Sequence, residues 1–259
     1  MGRHLNLGLS ISGVVAFVIL WQIVSSTVID PFFLPPPSDI VVGSSELVAD
    51  GTLVTSILIS LMRILAGWLL GSAIAIPLGL TVGISQTARA VVDPFIHFFR
   101  FVPAIALVTL FIVWFGVGEM SKILLIAYAT AFIVMVNTAS GVSAIPVDKL
   151  DAARCLGASP SQVFREIVIP ASIPSIYVGM RLALASSFLV IVAAEMLAAE
   201  SGLGYIIWTS RLYFRIDWMF AGIVALGLLG YLTDRSWKIF GRHLLKRYLR
   251  DTIKYCIAH

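Results

Sequence analysis

The stretch Asp151–Pro170, DAARCLGASPSQVFREIVIP, is a polar, amphipathic island in a chain that is otherwise mostly apolar. No strong breaker falls between Asp151 and Gly157, so the spacing predicts a two-turn helix ending at that glycine. Ser159 and Pro160 then suit the N-cap and first turn of a second helix. Pro170 and Pro174 mark its entry into the next apolar run. Ala152, Ala153, Gly157 and Ala158 give the first helix a nearly side-chain-free surface, whose backbone can enter a shallow groove closely. A polar segment between two long apolar runs lies at a membrane surface, and the rest of the chain is ordered by that placement.

Hydrophobic residues make up 59% of the 259 residues and charged residues 12%, with a mean hydropathy of +0.98. A soluble protein of this length cannot hide so much apolar surface, so the solvent is lipid. The net charge of +4 is not a nucleic-acid signal, because seven of the 18 Lys and Arg fall in the last 25 residues, from Arg235 to Lys254. That pattern is a cytoplasmic flank beside a membrane span. Cys155 and Cys256 form neither a disulfide framework nor a metal-ligand spacing. No Gly-Lys pair occurs anywhere, which removes a P-loop, so any ATP chemistry belongs to another polypeptide.

Apolar runs predict an all-α integral membrane protein of six transmembrane helices, near residues 7–29, 64–84, 101–115, 122–141, 175–199 and 218–238. The first is too long for a signal-peptide core and no small-x-small cleavage site closes it, so it reads as an uncleaved helix. Residues 1–52 therefore form an N-terminal helix and outer loop, 53–240 a core with its cytoplasmic loop at 142–170, and 241–259 a basic cytoplasmic tail. The loop 30–52 holds four acids and no base, and Pro35, Pro36 and Pro37 are read as forbidding a helix there. In the second span Gly67, Gly71, Ala75, Gly79 and Gly83 recur every four residues, a ladder that lets another helix approach closely. Arg63 just precedes that span and is placed to snorkel to the interface. The third span is short and is expected to borrow from residues 93–100. Connections assigned inside carry thirteen Lys and Arg; those assigned outside carry three, Lys122, Arg211 and Arg215. Both termini are therefore expected in the cytoplasm.

The spacing of the quoted stretch is acid-Ala-Ala, three residues, Gly, nine residues, Ile, one residue, aliphatic, Pro. It resembles the cytoplasmic loop signature of permease subunits of bacterial ATP-binding-cassette importers, with Asp151 where the family's usual residue is Glu and Ile169 where it is Leu. Further segments resemble the nitrate, sulfonate, taurine and bicarbonate branch of that family: Phe33–Ser38, Trp114–Lys122, Gly179–Arg181, and Ala194-Glu195 followed by Gly202–Gly204. The resemblance implies the type I importer permease fold in the bacterial inner membrane. It implies a homodimer docked through Asp151, Ala152, Ala153, Gly157 and Ala158 on two ATP-binding subunits, which bind the ATP and Mg. It also implies an extracytoplasmic solute-binding protein and transport by alternating access, with no catalytic residue or cofactor in this chain. The solute is not readable.

Weakly polar residues within spans, Thr109, Asn137, Ser186 and Ser187, are candidates to line a pathway. Hydroxyl, amide and backbone N–H donors hold a dehydrated anion without a full countercharge. Glu195 is a charge at membrane depth and hence a functional candidate. A carboxylate is an odd ligand for an anion, so it reads as a structural or gating group, tied to Arg211, Arg215 or backbone donors. Arg181 reads as an interface anchor, and His4 and His97 as interfacial. The tail has an apolar face (Leu244, Leu245, Tyr248, Leu249) suited to a lipid surface. An ion-gradient-driven transporter or channel is the rival reading, but it calls for internal repeats and coupling carboxylates; no repeat is evident. An intramembrane enzyme would need a nucleophile with a base or a metal cluster, and neither is visible.

Overall fold

In this computed structural model residues 2–245 are described, and every regular element among them is a helix. In chain order these are α1 (Gly2–Thr27), α2 (Pro37–Ala49), α3 (Thr52–Ile84), α4 (Gln86–Phe99), α5 (Val108–Phe115), α6 (Glu119–Ser143), α7 (Val147–Cys155), α8 (Pro160–Ala198), α9 (Leu203–Leu212) and α10 (Ile216–Leu244). The side chains of His4 and Leu244, and residues 246–259 with the rest of the basic tail and Cys256, lie outside the described residues.

Four helices, α3, α6, α8 and α10, are long and apolar enough to cross a membrane. A fifth candidate is a bent pair: α4 and the segment Ala104–Phe115 meet at 84° across a break at residues 100–103. The third span is therefore broken rather than one short run, and its first half comes from further upstream than expected. The apolar described part of α1, Ser12–Thr27, is shorter than these.

The chain forms two compact units. One comprises residues up to Ile59 with Glu200–Gly227, and the other Ser60–Ala199 with the chain from Leu228 on. Within the first, α2 corrects the sequence reading of the prolines. Pro37 occupies its first turn after an extended Pro36, where no N–H is needed and a fixed φ favours the helix. The segment after Glu200, expected as a simple outer connection, likewise contains a helix, α9.

The second unit is built on α6. Each glycine of the α3 ladder meets α6 at a constant offset of 59: Gly67 against Ile126, Gly71 against Thr130, Gly79 against Thr138 and Gly83 against Val142. The two helices therefore run parallel. A methyl group on Gly67 would stand 2.6 Å from Ile126 Cβ, closer than any packed core tolerates. On its other side α6 meets α8 antiparallel, with Gly141 against Ser175 and Gly179 against Asn137. Close backbone approach replaces the hydrophobic effect as the cohesive force where lipid is the solvent. Between these helices lies a core that includes Ile64, Trp68, Leu125, Ile126, Val134, Ala183 and Ile191. Large apolar side chains such as Val113, Leu182 and Leu228 remain exposed, as a lipid-facing surface requires.

The cytoplasm-assigned half of α10 packs on α8. Tyr177 stacks on Trp237 with ring centroids 5.4 Å apart, and Trp237 meets Trp68 of α3 edge-on. Arg181 Nε donates to Asp234 Oδ1 at 2.7 Å. It is thus a half-buried ion pair between α8 and α10 rather than a free interface anchor.

Candidate functional site

The stretch Asp151–Pro170 folds from local signals. α7 begins at Val147, so Asp151 lies in its middle rather than at its start. The helix ends in a Schellman motif: Gly157 takes φ +82°, its N–H donates to the Arg154 carbonyl, and the Ala158 N–H donates to the Ala153 carbonyl. Only glycine adopts that φ without strain. Ser159 caps α8 through a reciprocal box, its Oγ accepting from the Gln162 N–H while Gln162 Oε1 accepts from the Ser159 N–H. Val163–Val168 then winds with one extra residue per turn, immediately before Pro170, which has no N–H to continue the helical ladder.

α7 rests on an apolar base. Leu80 at the end of α3, Val142 and Ile145 at the end of α6, and Val163 and Val168 at the start of α8 form one buried cluster. Leu150, Ala153 and Ala158 pack onto it. This revises the small-residue surface read from the sequence. Ala153 and Ala158 face inward as the seat of the helix, whereas Asp151, Ala152, Cys155 and Gly157 are exposed. Leu156 is 88% exposed at the tip, an apolar knob that the sequence reading passed over. Arg154 and Asp151 pair on the outer surface at 3.1 Å, both well exposed, a contact worth only tenths of a kcal/mol.

The opposite end of the same bundle is closed by charge. Arg63 on α3 is 2% exposed and does not snorkel. Its Nη1 donates to Glu195 Oε1 at 2.8 Å, and its Nε and Nη2 donate to the two Glu119 oxygens at 2.6 Å. Ser60 Oγ donates to Glu195 as well, at 2.8 Å, and Lys122, also buried, reaches Glu119 at 3.2 Å. Glu195 is therefore tied to Arg63 and Ser60, not to Arg211 or Arg215. Two cations and two carboxylates balance here: Arg63, Lys122 and Glu195 are buried, Glu119 is half-exposed, and the buried charges are all paired, as their burial demands. A signal for Arg63 was available: it precedes Gly67 by four residues and so continues the packed face of the ladder. Lys122 continues the same offset of 59 on α6.

Between the two ends the end of α4, the segment 100–105, α6 and α8 border a cavity of about 530 Å³. Its lining includes Asn137 and Ser186, two of the sequence candidates, with Phe101, Tyr128, Phe132 and Arg100. Ser187 faces the other way, buried with its hydroxyl donating to the Leu184 carbonyl at 2.6 Å. Thr109 is exposed on α5 and does not line the cavity, nor does Glu195. Asn137 donates to the Ile133 carbonyl through Nδ2 at 2.8 Å, which leaves its second N–H and its carbonyl oxygen for the cavity.

Apolar spans, a cavity midway along them and a polar helix seated across three of their ends define a multi-pass membrane permease subunit. The comparison with known proteins agrees and narrows it. Residues 71–246 match the model of the family described as "Binding-protein-dependent transport system inner membrane component", and the chain belongs to that family. A probable ABC transporter permease protein of Brucella melitensis is 36% identical over 242 residues, covering 93% of this chain and 98% of that protein. A putative aliphatic sulfonates transport permease protein of Bacillus subtilis is 35% identical over 230 residues, covering 88% of this chain and 83% of that one. Among solved structures, a chain of the MetNI methionine ABC transporter in inward-facing conformations superposes with a TM-score of 0.67 at 20% identity. The superposition covers 77% of this chain and 97% of that one and establishes the fold.

Proposed function

We propose that the chain is the permease half of an ATP-driven importer for a small anion, acting as a homodimer with two separate ATP-binding subunits and an extracytoplasmic solute-binding protein. ATP and Mg belong to the ATP-binding subunits, and this chain is not catalytic. The full topology is six spans with both termini in the cytoplasm, α1 and the α4–α5 pair completing the four long helices. The Bacillus subtilis relative's description as a putative aliphatic sulfonates transport permease protein favours an organic sulfonate, with taurine, nitrate and bicarbonate as related candidates.

One observation carries this reading: α7 exposes Asp151, Ala152, Leu156 and Gly157 while its other face is seated on the ends of α3, α6 and α8. A push on α7 is thereby transmitted to three spans at once. Closure of the ATP-binding subunits moves α7, the spans follow, and the cavity changes the side to which it opens. Asn137 and Ser186 supply pathway donors. An ion-gradient mechanism would need a carboxylate free to exchange its cation, and Glu195 is instead held by Arg63 and Ser60.

Native mass analysis of the tagged chain, extracted in mild detergent from its own host, tests the assembly. Two copies with two copies of an ATP-binding subunit are expected. A chain that emerges alone, under conditions where a known importer stays intact, overturns the proposal.

A further inference from the structure

Arg100 is exposed and lines the cavity at the break between α4 and α5. It makes no ion pair among the described residues, and its guanidinium lies 4.7 Å from the centre of the Phe101 ring. Its depth is fixed: Tyr128 Oη donates to the Phe99 carbonyl at 2.9 Å, holding residues 99–100 beside α6 at a point nine residues past Glu119. At 1.5 Å per residue that is about 13 Å along the helix axis, well inside the span. A cation that lines a cavity between spans marks a functional site, and irregular backbone there, as at residues 100–103, is tolerated where it lines a cavity. Ser186 lines the same cavity from α8.

The remaining lining is aromatic and flat. Tyr128 and Phe132 meet edge to face at 5.2 Å, and Phe132 stacks with Phe99 at 6.4 Å. A volume of about 530 Å³ is that of a small-molecule site and far exceeds an inorganic oxyanion. We propose that this cavity is a binding site for an organic anion bearing one acid group on a flat apolar body. The acid group is held by Arg100 with the Ser186 hydroxyl and the Asn137 amide, and the body lies against Phe101, Tyr128 and Phe132. Arg100 is then a specificity-determining residue that selects charge, and Phe132 one that selects the ring. This rests on the permease reading only in making the cavity part of a transport pathway.

The test is saturable binding of tritiated benzenesulfonate to the full chain in nanodiscs, both with its ATP-binding subunits and alone. Methanesulfonate, bicarbonate and the uncharged benzenesulfonamide serve as competitors. Benzenesulfonate is expected to bind at least about tenfold more tightly than each competitor, as one charged contact or one buried ring commands. Arg100→Gln is expected to lose about tenfold or more of that affinity, Phe132→Ala to erase the preference over methanesulfonate, and Arg235→Gln to bind as the unaltered chain does. The proposal is overturned if benzenesulfonamide or methanesulfonate competes as well as benzenesulfonate. Absent saturable benzenesulfonate binding overturns it too, as does unchanged affinity in Arg100→Gln. Absence of an ATP-binding subunit from the purified material counts against the permease reading alone, because binding to the isolated chain still decides the cavity.

Discussion

The α3–α6–α8 bundle is closed by ions at one end and by aliphatic side chains at the other. At the first, Arg63, Lys122, Glu119 and Glu195 meet through directional bonds of 2.6–3.2 Å that fix three helices in one register. At the second, Leu80, Val142, Ile145, Val163 and Val168 make a non-directional seat under α7. A hydrogen bond loses its strength when it is bent or stretched, whereas apolar contact area changes little as one surface slides on another. The ionic end is suited to be a fixed point, and the α7 end to pass on movement.

Removing the fixed point has the largest expected effect. Arg63→Met strands Glu195 in a dry site and is expected to cost about 3–5 kcal/mol in denaturant unfolding of the detergent-solubilised protein. Arg63→Met combined with Glu195→Leu should recover most of that loss, because no unpaired charge is then buried. Equal losses in the single and double variants would show that the pair does not act as a unit. Packing along the bundle comes next: Gly67→Leu forces α3 from α6 and is expected to lose about 1–3 kcal/mol in the same assay.

At the mobile end, stability and transport should separate. Gly157→Val meets no neighbouring atom, since a Cβ there has open space, but φ +82° strains any branched residue. A cost of about 1–2 kcal/mol at the end of α7 is expected, with membrane insertion intact and solute uptake by whole cells abolished. Normal uptake by this variant would contradict the transmission of force through α7. Ser159→Ala, which removes one cap of α8, is expected to lower stability by about 1 kcal/mol and uptake only in part.

The smallest effect belongs to an exposed ionic contact, useful as a contrast with the buried one. Arg215 donates to Glu46 at 2.5 Å and holds its carboxyl below the ordinary 4.5. A depressed carboxylate contributes stability above its unfolded pKa and loses it as pH falls through the folded one. Unfolding followed between about pH 5 and pH 3 should show a slightly steeper decline for the unaltered chain than for Glu46→Gln.

What was legible in the sequence follows the range of the interactions. The end of α7 at Gly157 and the start of α8 at Ser159 rest on contacts within five residues, and both were readable from the caps. Family membership was readable in the same stretch. The ionic end joins residues 56 and 132 positions apart, which no local pattern pairs, and the four-residue step from Arg63 to Gly67, which puts Arg63 on the packed face, was passed over in favour of snorkelling. Pro37 was misread because a proline that breaks a helix interior starts one equally well. Ala153 and Ala158 were assigned to a contact surface because smallness serves a docking face and a buried seat alike, and only packing distinguishes them. Arg100 was counted with a cytoplasmic connection, because local sequence shows its charge but not the break between α4 and α5 that brings it to the cavity lining.

Cys155 offers the most direct measurement. It is exposed on the outer face of α7 beside Leu156, so a maleimide-linked photocrosslinker attached there in the intact complex reports what α7 touches. The expected product is an adduct between this chain and an ATP-binding subunit, formed within a few ångströms of the tip and absent from Cys155→Ser. Labelled complex that contains the ATP-binding subunit but yields no such adduct would contradict α7 as the coupling element.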